Sequence, residues 1–176
     1  AAATPAAPAA PAAPAAPATP ATAAVAIALD AEGLRLVNTD SGATRLLAFG
    51  ATRGEAVEIL TRAHGGVAGK ASRNEECGEG PVDFVAWDDG LSALFQDDKF
   101  VGWSVGSGGS EGLTTMSGVG IGSTRAELLS AYGGATIEES TLGQEFNAGE
   151  LYGILDGAGA AAKIDAIWAG TSCVFR

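Results

Sequence analysis

Gly122-Ser123-Thr124-Arg125-Ala126-Glu127 repeats, with changes, the earlier stretch Gly50-Ala51-Thr52-Arg53-Gly54-Glu55, and the two together decide the fold. In each stretch the threonine hydroxyl can accept a hydrogen bond from the backbone N–H three residues later. The glutamate can reach back to the threonine N–H, which completes a capping box and predicts the start of a helix. Both helices are expected to end at glycine pairs, in His64-Gly65-Gly66 and Tyr132-Gly133-Gly134, because glycine readily adopts the left-handed conformation that closes a helix. The 72-residue spacing of the two threonines (124 − 52) predicts two copies of one unit.

Strand patterns surround the two predicted helices. Runs of β-branched and aromatic residues between turn residues predict strands after each helix, at 82–87, 91–96, 99–105, 136–139, 143–147, 151–155 and 163–170. Lys99-Phe100 and Lys163-Ile164 open the last strand of each unit. A β-hairpin that turns at Asp40-Ser41-Gly42 precedes the first helix, and the polar stretch from Gly65 to Gly80 is predicted to be a loop. The predicted fold class is α+β, with two tandem units, each one helix packed on an antiparallel sheet, preceded by a β-hairpin.

Residues 1–22 contain only alanine, proline and threonine, with proline at every third position from Pro5 to Pro20. This period matches the three-residue turn of polyproline II, in which the segment would extend roughly 60 Å. We interpret it as a disordered tail, a tether to a membrane or wall, or a strip that lies on a partner. The predicted organisation is the tail at 1–22, the hairpin and first unit at 23–110, and the second unit at 111–176.

Charge and hydropathy argue against several classes of partner and location. The net charge is −11 and only ten lysines and arginines are scattered over the chain, whereas nucleic acids and anionic membranes bind clustered cations. No apolar run approaches the ~20 residues of a membrane-spanning helix. The alanine-rich beginning suits a mature terminus left by a cleaved signal peptide. We therefore expect an exported protein, in the periplasm or at the cell surface.

Two cysteines, Cys77 and Cys173, lie 96 positions apart (173 − 77). In an oxidising compartment they are expected to pair, and closing a loop of this length stabilises the folded state by about 4 to 5 kcal/mol on chain-entropy grounds. The alternative is a pair of buried free thiols. The single histidine and these two cysteines lack the spacing of a zinc site, so no metal and no cofactor are predicted.

Two glycine-rich motifs match catalytic signatures without their context. Gly102-Trp103-Ser104-Val105-Gly106 has the pattern of the nucleophile elbow in α/β-hydrolases. No helix pattern follows it, however, and the only histidine, His64, comes before Ser104 rather than after it. Gly118-Val119-Gly120-Ile121-Gly122 lacks both the last glycine of a dinucleotide fingerprint and the lysine of a phosphate loop. We predict no enzymatic activity and keep a serine hydrolase that uses Ser104 as an alternative.

Trp87, Asp97 and Asp98 are the predicted binding residues. Strand alternation separates Trp87 from the apolar Val82, Phe84 and Ala86, so we expect Trp87 to be exposed and to anchor an interface, with half-buried packing as the alternative. The same reasoning places the other two tryptophans, Trp103 and Trp168, in the core beneath the helices.

Asp97-Asp98 lies in a loop that differs between the two units, which makes that loop a candidate contact. If Asp97-Asp98 and Asp88-Asp89 met at one end of the sheet they would offer a weak calcium site, but solvated turn carboxylates explain both pairs more simply.

The stretch from Gly122 to Gly133, with Cys77-Gly78-x-Gly80-Pro81 and the closing segment from Trp168 to Arg176, resembles uncharacterised exported proteins of sphingomonad-like alphaproteobacteria. In topology alone, the helix-then-meander duplication is similar to the β-lactamase-inhibitor protein and to small outer-membrane assembly lipoproteins, which bind other proteins. The resemblance implies a protein-binding role. We therefore predict a non-catalytic accessory subunit of a cell-envelope or membrane complex, contacted through the outer sheet face and the tail. A small-molecule binder with its site between the two sheets is the alternative.

Overall fold

Two antiparallel sheets and two short helices make up the part of the chain that the computed structural model describes, residues 24–108 and 112–173. The smaller sheet contains β1 (Val25–Asp30), β2 (Gly33–Asn38) and β3 (Thr44–Ala48) in that order. Helices α1 (Arg53–Ala63) and α2 (Arg125–Ala131) each precede four strands of the larger sheet. Those strands are β4 (Lys70–Asn74), β5 (Val82–Ala86), β6 (Leu91–Gln96), β7 (Lys99–Val105), β8 (Thr136–Ser140), β9 (Gly143–Ala148), β10 (Leu151–Leu155) and β11 (Ile164–Gly170).

The mixed helix-and-sheet class predicted from the sequence is confirmed, but sheet predominates. The strands of the larger sheet lie in the order β4-β5-β6-β7-β11-β10-β9-β8. The last strand after each helix, β7 or β11, is therefore at the centre, where the two pair antiparallel. Strands that the sequence assigned to two units thus form one continuous sheet of eight strands.

Two strands were not predicted. β1 pairs along its whole length with β2 and turns the expected hairpin into a three-stranded sheet. β4 lies inside the stretch from Gly65 to Gly80 that was predicted to be a loop. It is an edge strand that pairs only with β5, and most of its residues are exposed. An edge strand with both faces polar shows no apolar alternation, so its sequence does not differ from that of a loop.

Both helices begin at the predicted threonines. Thr124 accepts a hydrogen bond from the Glu127 N–H at 3.2 Å, and Glu127 accepts one from the Thr124 N–H at 2.7 Å, which completes the capping box. Bonding to the Thr124 backbone lowers the pKa of Glu127. At α1, Thr52 accepts from the Glu55 N–H at 3.3 Å. Neither helix is long and apolar enough to cross a membrane, and this holds for the described ranges as a whole.

Of the two predicted helix ends, one is confirmed and one is wrong. After α1, Gly65 has a φ of 67° and its N–H donates to the Arg62 carbonyl at 3.1 Å, so this glycine closes the helix. After α2, neither Gly133 nor Gly134 has a positive φ, and the prediction for this pair is wrong. The Tyr132 N–H instead donates to the Leu128 carbonyl at 2.9 Å.

Each helix start is bonded in the same way to the beginning of a central strand. The Gly50 and Gly122 N–H groups donate to the carbonyls of Phe100 and Ile164, at 2.7 and 2.9 Å. Three residues later in each stretch, the Arg53 and Arg125 N–H groups donate to the carbonyls of Asp98 and Ala162, at 2.8 and 2.7 Å. The two helix starts therefore occupy matching positions on β7 and β11.

The hydrophobic core lies between the two sheets and under the helices, on what we call the inner face of the larger sheet. Trp103 is fully buried there, and its indole N–H donates to the Asp30 carbonyl of the smaller sheet at 2.9 Å. The core also takes side chains from every layer: Leu29, Leu34, Leu47, Ala56, Leu60, Phe95, Phe100, Leu128, Ile164 and Ile167. Neither of the two described helices covers the opposite side of the sheet, the outer face.

Two β-bulges decide which side chains reach the outer face. In β11 the register skips Asp165, because Ile154 pairs with Ala166 and Leu155 with Ile164. Alternation therefore shifts by one residue, and Trp168 lies on the outer face rather than beside Ile164 in the core, where it was predicted. A bulge at Val101 shifts β7 in the same way, since Leu94 pairs with Gly102 and Phe95 with Phe100.

Candidate functional site

A pocket of about 250 Å³ lies on the outer face, at the centre of the larger sheet. Trp168 is its largest side chain and stands opposite Ser104 of β7 and Tyr152 of β10. Because Ser104 and Ala166 are small, a space remains between Trp168 and the surrounding large side chains. The lining residues are mostly apolar: Phe84, Leu94, Ser104, Val105, Gly106, Ile154, Ala166, Trp168, Ser172 and Cys173.

The segment 171–173 crosses the outer face and forms one wall of this pocket. Its Thr171 N–H donates to the Val101 carbonyl at 2.9 Å. Gly102 makes the crossing possible, since a Cβ at this position would overlap the Thr171 carbonyl oxygen. The predicted disulfide between Cys77 and Cys173 is confirmed, with a Cα–Cα distance of 5.2 Å. The disulfide therefore fixes the segment beside the pocket.

Beside the central pocket, Tyr152 pairs with Trp168 on the adjacent strand, and two flanking pockets have volumes of about 390 and 380 Å³. Its side chain is half-buried and lines both flanking pockets. Five glutamates line these two pockets, with Glu138, Glu139 and Glu145 in one and Glu79 and Glu150 in the other. No lysine or arginine of the described residues lines any of the three pockets. This part of the outer face therefore combines aromatic surface with an acidic border.

Trp87, the predicted interface anchor, is buried, with 5% of its surface exposed. Its ring stacks on His64 at a centroid distance of 4.7 Å, and its indole N–H donates to the Val67 carbonyl at 3.1 Å. The two faces of β5 were assigned the wrong way round from the sequence. Val85 and Trp87 belong to the inner core, and Phe84 lies on the outer face. The prediction that Trp87 is exposed is wrong, and its contacts are those of a structural residue.

Replacing Trp87 by phenylalanine should lower the free energy of unfolding by about 1 kcal/mol, because the indole hydrogen bond to the Val67 carbonyl is lost while most of the packing remains. Binding at the outer face should not change. Urea denaturation measures the first effect. A loss of partner binding in a folded Trp87→Phe protein would show that Trp87 contributes to the interface after all.

Asp97 and Asp98 form the turn between β6 and β7, with φ values of 48° and 60°. Both are exposed, and the Asp98 carbonyl accepts the Arg53 N–H at 2.8 Å. Aspartate tolerates the left-handed conformation that such a hairpin turn requires, so backbone geometry accounts for this pair. Whether the two carboxylates also contact a partner stays a prediction.

The two aspartate pairs cannot meet, because they lie at opposite ends of β6. Asp88 is bonded to Lys70 at 2.9 Å, an interaction that lowers the pKa of Asp88. Asp89 accepts from His64 at 3.0 Å. The conditional calcium site is therefore wrong, and no cluster of three or more acidic, histidine or cysteine side chains suited to a metal occurs within 24–108 and 112–173.

Ser104 lies in the central pocket, but none of the described residues that line the pocket can act as a general base. His64 is engaged elsewhere, with Nδ1 2.7 Å from the Leu60 carbonyl and Nε2 3.0 Å from Asp89. The glycine-rich stretch before α2 is likewise committed, since the Gly120 N–H donates to Ser123 and the Gly122 N–H to Ile164. His64 therefore does not activate Ser104, and the Gly120 and Gly122 amides are not free to bind a phosphate.

Tyr152 and Trp168 are the site residues that sequence reasoning missed. In β10, Leu151, Gly153 and Leu155 face the core, which leaves Tyr152 and Ile154 outside. The alternation in β10 could have been recognised in the sequence, whereas the bulge in β11 that moves Trp168 to the outer face could not. Comparison with protein-family models, curated proteins and solved structures finds no match to this chain.

Proposed function

We propose that this chain is a non-catalytic, protein-binding accessory subunit that holds its partner on the outer face of the larger sheet. The observation that carries the proposal is the central pocket, where Trp168, Phe84 and Ile154 line a space on a sheet face that neither α1 nor α2 covers. Interfaces use pockets of this kind to receive an anchoring side chain from the partner. The mainly apolar lining favours an aliphatic or aromatic anchor.

Export to a cell envelope is the second part of the proposal. The Cys77–Cys173 disulfide supports it, because structural disulfides persist in oxidising compartments such as the periplasm. The resemblance to exported alphaproteobacterial proteins points the same way. We accordingly place the partner in a periplasmic or cell-surface complex, and we propose that residues 1–22, which lie outside the described ranges, are a tether or a strip along the partner.

The third part is that the larger sheet derives from two tandem copies of one unit. The matching bonds of Gly50 and Gly122 to Phe100 and Ile164 support this, since the acceptors are 64 positions apart and the donors 72. The bulges at Val101 and Asp165 are also 64 positions apart. On this proposal the central pocket lies where the two copies meet, and Ser104 and Trp168 are equivalent positions that have diverged.

A site-specific photocrosslinker tests the protein-binding role. We expect p-benzoylphenylalanine in place of Tyr152 to crosslink one defined protein when the full chain is expressed in its native host. The same residue in place of Met116, which is 59% exposed and lies in the segment that pairs with the smaller sheet, is the matched control. Equal crosslinking at both positions, or none at Tyr152, would rule out the outer face as the interface.

Binding of a small molecule is the second candidate function. The site was predicted to lie between the sheets of the two units, but the strands of those units form one continuous sheet. The central pocket on the outer face is instead large enough for a small apolar compound. Such a compound should raise the unfolding temperature of the wild type and not that of Ser104→Leu, in which the added side chain fills the pocket.

A further inference from the structure

The central pocket lies directly beside the point at which the described part of the chain stops. Cys173, the last described residue, lines the pocket, and its disulfide to Cys77 holds it there. Residues 174–176, which lie outside the described ranges, are valine, phenylalanine and arginine. An extended chain covers about 3.3 to 3.6 Å per residue, so the Cα atom of Phe175 is at most about 7 Å from that of Cys173. The phenyl ring of Phe175 is therefore within reach of the pocket.

The pocket suits a phenyl ring in size and in chemistry. Its volume is about 250 Å³, whereas a cavity of about 150 Å³ with aliphatic and aromatic walls already accepts benzene. None of the described residues that line the pocket is charged, so a phenyl ring that enters it takes no ionised group out of water. Trp168 and Phe84 offer aromatic surface, and aromatic pairs attract each other beyond the effect of the area that they bury. An aromatic side chain is thus a better occupant than a charged one.

We propose that Phe175 occupies the central pocket beside Trp168 as long as no partner is bound. A group attached through a short connection has an effective concentration in the millimolar range, so the chain's own ring competes well with groups from outside. The anchoring side chain of a partner must therefore displace Phe175 before it can enter. This competition rests on the protein-binding role proposed above, and it specifies how the same site is regulated.

Nuclear Overhauser effects in the full wild-type chain test whether the ring is in the pocket. We expect cross-peaks between the Phe175 ring protons and the methyl groups of Ile154, which lines the pocket. Phe84 lines it as well, so the spectrum of Phe175→Ala assigns the cross-peaks that belong to Phe175. Ser104→Leu, in which the added side chain fills the pocket, should remove the same cross-peaks. A Phe175 ring without a cross-peak to any residue that lines the pocket overturns the proposal.

A small neutral probe, fluorobenzene, measures the competition by fluorine NMR. It should bind at least about fivefold more tightly to Phe175→Ala than to the wild type, because a site loses affinity in proportion to the fraction of time that it is closed. Arg176→Ala changes the neighbouring residue and keeps the ring, so this matched control should bind the probe as the wild type does. The double variant Phe175→Ala with Ser104→Leu should not bind it, which locates the probe in the pocket. Thermal unfolding of each variant establishes that the fold is retained. Equal affinity of the wild type and Phe175→Ala would contradict the proposal.

The failure of this inference differs from a failure of the proposed function. With the photocrosslinker in place of Tyr152, Phe175→Ala should raise the yield of the crosslinked partner in the native host. If a partner is crosslinked but the Phe175 ring makes no contact with the pocket, the protein-binding role stands and only its regulation is wrong. If the ring contacts Ile154 but no protein is crosslinked, Phe175 fills the pocket as part of the fold and the protein-binding role is wrong.

Discussion

Replacing Trp103 by alanine should lower the free energy of unfolding by about 3 to 5 kcal/mol, enough to unfold a domain of ordinary stability. Trp103 is fully buried at the centre of the larger sheet, on the strand that pairs with β11. Its removal would leave a cavity facing both sheets and would take away the hydrogen bond to the Asp30 carbonyl. No other tryptophan of the described residues bonds to the smaller sheet.

Trp103→Phe separates the hydrogen bond from the packing. The phenyl ring keeps much of the buried area but cannot donate to Asp30, so its cost should be about 1 to 2 kcal/mol. Urea denaturation of the three proteins, followed by circular dichroism, gives the comparison. A cost below 1 kcal/mol for Trp103→Ala would mean that the two sheets do not share one core.

The helix starts and the central strands could be predicted because their signals are local. The capping stretches at Thr52 and Thr124 satisfy backbone N–H groups within the next three residues, so sequence alone determines them. Turns such as Asp97-Asp98 likewise follow from residues that accept a left-handed backbone. The edge strand β4 has no such signal. Its hydrogen bonds to β5 make it a strand, and its own sequence shows no strand pattern.

The faces of the strands were harder to predict than their positions. Val82, Val85 and Phe84 are all apolar although they lie on different sides of β5, because the outer face is itself apolar at its centre. Alternation identifies two sides but not which one faces the helices. The bulges at Val101 and Asp165 then reverse the assignment part-way along each central strand. The candidate site was missed for this reason, since it depends on the side that Trp168 takes.

The double replacement Cys77→Ser with Cys173→Ser should lower the free energy of unfolding by about 3 to 5 kcal/mol. The disulfide closes a loop that spans 96 positions, and the chain-entropy relation gives about 4.7 kcal/mol for a loop of about this length. Changing both cysteines avoids a lone reactive thiol. Reduction of the wild type should give the same loss in a chemical denaturation experiment, and agreement between the two would exclude an effect of the serines themselves.

Loss of the disulfide should also have a local effect that distinguishes the wall of the central pocket from the rest of the fold. Ser172 and Cys173 line this pocket beside Trp168, and the disulfide holds their segment across β7. Once it is released, Trp168 should become more accessible to acrylamide, while Trp87 and Trp103, on the inner face, should stay protected. Fluorescence quenching of Trp168→Phe, compared with the wild type in both redox states, assigns the change to that residue. If quenching rises equally in both proteins, the disulfide stabilises the whole sheet and does not specifically maintain the pocket.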